Sequence, residues 1–362
     1  MQRYSKTQLF SLVEKIFLKA GCSSDNAKTI ANMLVTAELR GIPSHGLMRI
    51  KDYIGLWQKG RMNMCPDLKI VHETPSTATV DGDMAPGMLA GKFAMELAIR
   101  KAEQVGSGWV AVRNSNHFGI AGFYTMMAAQ NDMIGIAMTN ANALVAPTFS
   151  VDRMLGTNPI AFTIPGKEEP AFTADFATTP IARGKLELLE KQGKESPQGF
   201  VQDAEGKAAS DPSVLRRGGA ILPLGGDYEH ASHKGYCMGA MVDILSAILS
   251  GANFGPFVPP QVAYLDPKPG APGAGLGHFF GAMRIDGFRP LDEVKEYMDL
   301  WIRTFRQSKP AEGRDRVIIP GEPELANEKE HLCEGIPVVP QVWQELITTA
   351  SSLGISEDDL II

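Results

Sequence analysis

The sequence predicts an α/β protein, and three observations carry that reading. The first 60 residues are helical by pattern. From about residue 77 onward, short apolar runs alternate with helical runs. The composition is 44% apolar and 21% charged over 362 residues, which suits sizeable packed cores and excludes bulk disorder. A chain of this length suggests two domains, or one large body with an appendage.

Ser5 and Gln8 have the spacing of a capping box. Leu9, Leu12, Val13, Ile16 and Phe17 then repeat at helical intervals, and Gly21 stops the run. A second helix opens near Ser24 and Asp25, turns Ile30, Leu34 and Ala37 inward and ends near Gly41. A third starts around Ser44 and continues through Leu47, Ile50, Ile54 and Trp57 to Gly60. The texture then changes. Residues 77–80 read as a strand ending in the turn Asp81-Gly82-Asp83, 88–105 as a helix, 109–112 as a short buried strand and 121–130 as a helix. Residues 134–138, 159–164 and 171–175 add strands. This rhythm predicts βαβ units and a largely parallel region. Residues 184–216 are polar and read as a surface excursion with at most a short helix. Residues 236–251 read as a buried helix and 255–276, rich in Pro and Gly, as a linker. A strand over 278–285, an amphipathic helix from Pro290 carrying Val294, Tyr297, Trp301 and Phe305, and a helix after Pro340 complete the chain.

Charge and cysteine usage narrow the functional classes. With 35 Lys and Arg against 41 Asp and Glu, the net charge is −6, which lacks the footprint of a nucleic-acid binder. Cys22, Cys65, Cys237 and Cys333 are far apart and form no CxxC pair, so reduced thiols and no metal site are expected. The start of the chain has no apolar signal core, and the apolar stretch 236–254 contains Asp243 and Asn253, so no membrane span is expected. These features together predict a cytoplasmic protein.

Chemistry-bearing residues cluster at a few places. On one helix, His45, Arg49 and Tyr53 would fall at i, i+4 and i+8, with Ser44 at its start. A guanidinium suits a substrate carboxylate and an imidazole nearby can move a proton, although the same spacing suits a solvated stripe with Arg49 paired to Asp52. Asn114, Asn116 and His117 lie in a loop after a strand, where ligands gather in open sheets; an ordinary turn would also use these residues. The segment from Asn140 to Pro147 and the run Asp175-Phe176-Ala177-Thr178-Thr179 also follow strands. An Asp there can accept from a ribose hydroxyl or simply cap a helix. Lys234-Gly235 opens a helix, where backbone N–H groups favour an anion. A G-x-G-x-x-G turn after the first strand is absent, as are a Walker loop, a G-x-S-x-G elbow and an HExxH helix.

Several ordered motifs together resemble a known family. Arg40-Gly41-Ile42-Pro43-Ser44-His45-Gly46-Leu47-Met48-Arg49 is followed by Asn116-His117-Phe118-Gly119, Leu155-Gly156-Thr157-Asn158-Pro159 and Asp175-Phe176-Ala177-Thr178. Leu222-Pro223-Leu224-Gly225-Gly226, His233-Lys234-Gly235-Tyr236 and Met241-Val242-Asp243 come later. This set resembles the type-2 malate/L-lactate dehydrogenases, whose relatives include sulfolactate, ureidoglycolate and diketogulonate dehydrogenases or reductases and a cyclic imino-acid reductase.

The resemblance implies a three-layer α/β/α fold with a non-Rossmann nicotinamide-binding domain, plus an N-terminal helical region that packs with the C-terminal segment. It implies three units: 1–74 carrying Ser44, His45 and Arg49, 75–258 binding the cofactor, and 259–362 packing back on the first. The implied activity is hydride transfer between NAD or NADP and C2 of a small 2-hydroxy or 2-oxo acid, in a homodimer. Arg49 is then the carboxylate clamp and His117 or His45 the proton carrier, with His117 preferred because its loop reaches a substrate oxygen. Ser44, Tyr53 and Asn116 are expected to orient substrate. Asn140, Asp175, Phe176, Ala177, Thr178, Thr179, Lys234, Gly235, Gly321 and Glu322 are expected along the cofactor, and no metal is expected. Reduction of a cyclic 2-imino acid needs the same clamp and stays open at this point, as does non-catalytic binding of a nucleotide or acid.

Overall fold

The computed structural model describes residues 2–356; the six residues at the end of the third expected unit lie outside the described residues. The chain begins as a strand, Gln2–Tyr4 (β1). Ser5 then accepts the Gln8 N–H while the Gln8 side chain accepts the Ser5 N–H, and this capping box opens the helix Lys6–Lys19 (α1). Ser23, one residue before the expected cap, caps Ser24–Leu39 (α2) through the Asn26 N–H. The third helix departs from expectation. Two 3-10 turns, Pro43–His45 and Leu47–Arg49, precede the α-helix Ile50–Gln58 (α3), and Gly46 between them is not helical. Buried Glu38 explains the break. Its carboxylate accepts the Leu47 N–H at 2.7 Å, and a Cβ at position 46 would lie 2.3 Å from the same oxygen. His45 therefore sits on the first 3-10 turn, Arg49 on the second and Tyr53 on α3.

Strands Lys69–Glu73 (β2) and Thr77–Ala85 (β3), helix Gly87–Val105 (α4), strand Ser107–Ser115 (β4) and helix Ala121–Ala129 (α5) follow. Then come strands Met133–Thr139 (β5), Ile160–Ile164 (β6) and Phe172–Phe176 (β7) and helix Arg183–Lys191 (α6). Three two-residue strands, Val201–Gln202 (β8), Ala208–Ala209 (β9) and Ala220–Ile221 (β10), form a small sheet. Helix Ser232–Asp243 (α7) continues into a π turn, Ile244–Ile248. Strand Leu276–Arg284 (β11), helices Leu291–Arg306 (α8) and Glu322–Glu334 (α9), strand Ile336–Val338 (β12) and helix Pro340–Ser352 (α10) close the described chain.

The central sheet has seven strands in the order β2-β3-β4-β11-β5-β6-β7. The expected largely parallel region is corrected here: β3 and β4 are parallel, and every other pair is antiparallel. The reason is β11. It arrives late in the chain and inserts between β4 and β5, so the β4-α5-β5 crossover does not join hydrogen-bonded neighbours. Side chains alternate across the sheet. Phe280 meets Tyr124 of α5 at 5.1 Å between ring centroids on one face. On the other, a Cβ at Gly277 would lie 2.1 Å from the Ser246 carbonyl oxygen of the π turn. Helices thus cover both faces, giving the three layers expected.

Two connections also differ from expectation. Residues 184–216 are no bare excursion: with flanking segments they build a second core from Val145, Leu155, Ile181, Leu186, Val201 and Ile221. The Pro/Gly stretch is a strap, because the Arg61 guanidinium donates to the carbonyls of Pro260, Val262 and Leu265. The two ends of the chain meet. β1 pairs antiparallel with β12, and Tyr4 stacks on Trp343 of α10 at 4.0 Å.

Candidate active site

Ser115 opposes Leu276, Thr139 opposes His278 and Phe176 opposes Ile160, so β4, β5 and β7 end at one edge of the sheet. A cleft of about 1350 Å³, counting its open mouth, runs along that edge against the two 3-10 turns. Its walls include Ser44, His45, Arg49, His117, Asn140 and Asp175. The His45 and His117 rings stack there with centroids 5.4 Å apart.

Tyr53 is buried, and its hydroxyl lies 2.7 Å from His117 Nδ1. The Gly119 N–H donates to the same nitrogen at 3.3 Å. A backbone N–H only donates, so Nδ1 carries a lone pair, Tyr53 also donates, and the ring proton sits on Nε2. Burial, reinforced by His45 and Arg49, holds His117 well below the usual imidazole range. Burial and then Arg49 push His45 down to about 4, while its Nδ1 lies 2.9 Å from Ser44 Oγ. Both rings are neutral at neutral pH. Arg49 Nε donates to the Ser44 carbonyl at 2.7 Å and one Nη reaches Asp52 at 3.4 Å. Its second Nη has no hydrogen-bond partner among the described residues.

The structure sorts the other expected residues. Asn140 is fully buried in the cleft wall, donates to Asp243 and to the Asn253 carbonyl, and accepts the Gly277 N–H. Asp175 surfaces on the wall and accepts the Gly122 N–H at 2.7 Å; the protein around it pushes its carboxyl up to about 6. Phe176 and Ala177 line the same wall. A second basin of about 820 Å³ joins the first along Ile42, Ile120, Asp175 and Phe176 and reaches Gly321. Eight of the expected residues do not line the first cleft: Tyr53 stands behind His117, Gly321 lies in the second basin, and six others point elsewhere. Asn116 donates to the carbonyls of Arg61, Met84 and Ala85. Thr178 and Thr179 bond nearby carbonyls, and Glu322 pairs with Arg306 and Arg316. Lys234 is exposed outside the cleft, and Gly235 lets α7 approach Leu224, whose carbonyl oxygen a Cβ would meet at 2.2 Å.

Comparison with known proteins places this arrangement. The profile of the malate/L-lactate dehydrogenases matches residues 4–347. The chain belongs to the malate/L-lactate dehydrogenase family. A malate dehydrogenase of Pyrococcus horikoshii is 40% identical over 354 residues, 98% of this chain and 96% of that one. An L-sulfolactate dehydrogenase of Methanocaldococcus jannaschii is 39% identical, covering 97% of each chain. A solved malate dehydrogenase structure from Pyrococcus horikoshii matches with a TM-score of 0.89 at 38% identity, covering 98% of this chain and 96% of that one. As a member of this family, the protein is a pyridine-nucleotide-dependent oxidoreductase acting on CH–OH donors.

One wall of the dehydrogenase's cleft and one buried support behind it escaped sequence reasoning. Gln261, Val262 and Leu265 of the strap form a wall, and the Gln261 side chain accepts the His117 N–H at 3.0 Å. Their Pro/Gly surroundings read as a linker, and no local signal marks them. His278 is wholly buried in β11, lies 2.7 Å from Thr139 Oγ1 and 2.8 Å from Ser115 Oγ, and is pushed down to about 3 by burial. It ties together the two strand ends that carry the His117 and Asn140 loops. Its signal was a histidine inside an apolar strand, where an imidazole needs partners at both nitrogens.

Proposed function

We propose that the protein transfers a hydride reversibly between NAD or NADP and C2 of a small 2-hydroxy or 2-oxo acid, with Arg49 as the carboxylate clamp and His117 as the proton carrier. The observation that carries this reading is the single cleft lined by the Arg49 guanidinium and the stacked imidazoles, with the buried Tyr53 hydroxyl bonded to His117 Nδ1 behind its wall. The related malate and sulfolactate dehydrogenases are named for 2-hydroxy acids, so reduction of a cyclic imine is not favoured.

The donor set suits a dinucleotide. Small residues, Gly119, Ala141 and Ala177, line the cleft and leave room in it, and Asp175 on its wall offers an acceptor for a hydroxyl. Arg183 stands on the same wall as a cation. Together with Lys185 it is the candidate for distinguishing NADP from NAD by its extra phosphate. When bound, the nicotinamide gives or takes the hydride.

The chain's own groups handle position and proton. The second Nη of Arg49 grips the substrate carboxylate and sets C2 beside His117. In reduction, His117 acts as the imidazolium and gives its Nε2 proton to the 2-oxo oxygen, which leaves the ring neutral with its other proton on Nδ1 facing the Tyr53 oxygen; in oxidation that neutral ring takes the hydroxyl proton back at Nε2. The substrate's negative charge offsets Arg49, one cause of the low His117 and His45 pKa values, so acid binding raises both toward the working range. Ser44 orients His45, and Asn116 holds the His117 loop from behind rather than touching substrate.

A homodimer is part of this reading. The apolar side chains of Met241, Ile244, Ile248 and Leu249 stand exposed along α7 and its π turn, the kind of surface a second copy covers. A reducing compartment such as the cytoplasm suits the four free cysteines. The deciding test is a panel of malate, sulfolactate, lactate and a cyclic 2-imino acid, each with both cofactors, followed by nicotinamide absorbance. Turnover of a hydroxy acid is expected; turnover of the imine alone overturns the reading.

A further inference from the structure

We infer that Gln261 is a positioning residue for His117 and that Arg61 is the latch that keeps it in place, an inference that rests on the role given to His117 above. Gln261 is anchored at both ends of its amide. Its Oε1 accepts the His117 N–H at 3.0 Å, and its Nε2 donates to the Pro259 carbonyl at 2.9 Å. The strap around it has no ladder of its own: residues 258–275 contain neither helix nor strand. Among the described residues, the backbone carbonyls between residues 259 and 265 that are bonded from outside the strap are all held by one guanidinium. Arg61, just beyond α3, donates to the carbonyls of Pro260 at 2.5 Å, Leu265 at 2.8 Å and Val262 at 3.2 Å. A planar fork with five N–H donors can gather three carbonyls in this way, and a lysine cannot.

The backbone of Arg61 closes a ring. Its carbonyl accepts the Asn116 amide at 3.3 Å, next to His117 in sequence. The path therefore runs from Asn116 to Arg61, across the strap to Gln261 and back to the His117 N–H. The His117 loop is irregular, so its backbone is fixed by such contacts rather than by a ladder. Displacing it by a few tenths of an ångström lengthens the approach of Nδ1 to both Tyr53 and the Gly119 N–H, the two donors that keep the ring proton on Nε2. Gln261 thus acts on proton transfer through His117, from a segment more than a hundred residues away in sequence.

The test reads the imidazole itself. In protein labelled with 15N-histidine, the His117 ring shifts, assigned by their loss in His117→Ala, report the tautomer whether or not a substrate turns over. The native protein is expected to show the Nε2–H form. Gln261→Met and Arg61→Met are expected to populate the other tautomer, and Gln261→Glu, which retains an oxygen for the His117 N–H, to restore the first. With the hydroxy acid identified, kcat in both Met variants is expected to fall about tenfold, with cofactor affinity held within about twofold, as for a misplaced catalytic group. The double variant is expected to be no worse than the poorer single one, because both act along one path. Amide exchange over 261–265 should quicken in Arg61→Met. Native His117 shifts in Gln261→Met overturn the inference. So does faster strap exchange in Arg61→Met that leaves those shifts unchanged. Absence of hydroxy-acid turnover in the native enzyme would instead overturn the proposed function, with the ring shifts still deciding the positioning role.

Discussion

Tyr53 Oη and His117 Nδ1 meet at 2.7 Å across 64 residues of sequence, and that contact helps decide which imidazole nitrogen carries the ring proton. The bond joins α3 of the N-terminal helices to the loop after β4, so proton chemistry depends on how two parts of the fold dock. Tyr53→Phe removes the donor while keeping the ring in its buried slot. We expect kcat to fall roughly 10- to 100-fold, within the range that acid–base groups contribute. Substrate KM should change little, and the pH–rate profile should shift. An unchanged profile would show that Tyr53 does not tune His117.

Arg49→Ala tests the clamp. Charge-assisted hydrogen bonds contribute about 1.5–3 kcal/mol, so kcat/KM for the acid should fall roughly 10- to 150-fold per bond lost. Cofactor affinity, measured by fluorescence titration, should stay within about threefold of native if the guanidinium serves the substrate alone. Equal losses in both would place Arg49 outside the substrate subsite.

The two stacked imidazoles are separable. His117→Ala should remove most of the turnover, because the Nε2–H donor disappears. His45→Ala should retain more activity and chiefly disturb Ser44 and the 3-10 turn. The reverse ranking in single-turnover rates would move the proton-carrier role to His45.

Stability should depend on pH from both sides. Glu38 is pushed up to about 7 by burial, so the folded state disfavours its ionised form. Its contribution is therefore full below the ordinary carboxylate range and declines as pH rises through about 7. Glu38→Gln keeps an acceptor for the Leu47 N–H and removes the titration. The slope of Tm against pH between about 4.5 and 7 should flatten, a change on the order of 3 kcal/mol at its upper end. On the acid side, His278 is depressed to about 3, so its contribution is present above the ordinary imidazole pKa and is lost as pH falls through about 3. His278→Asn should reduce this acid sensitivity in the same melting series.

Much of the fold could be read locally. The capping box at Ser5 and Gln8, the stop at Gly21 and the apolar runs behind β3 to β7 depend on residues a few positions apart, and those elements formed close to where the pattern put them. Candidate site residues were legible through their types and ordered motifs. The sheet order was not, because β11 joins partners more than a hundred residues earlier and its sequence carries no mark of which strands it separates.

By itself, the sequence determined the helical start, the strand-rich middle, the mild negative charge and the presence of Ser44, His45, Arg49 and His117 in recognisable company. Only the tertiary structure decided that Gly46 breaks the stripe, that Asn116 turns away from the cleft and that a Pro/Gly segment carries Gln261 to the His117 backbone. Local propensity acts over a turn or two of chain. Burial, tautomer and wall geometry are set by contacts between distant segments, which arise only when the chain has folded.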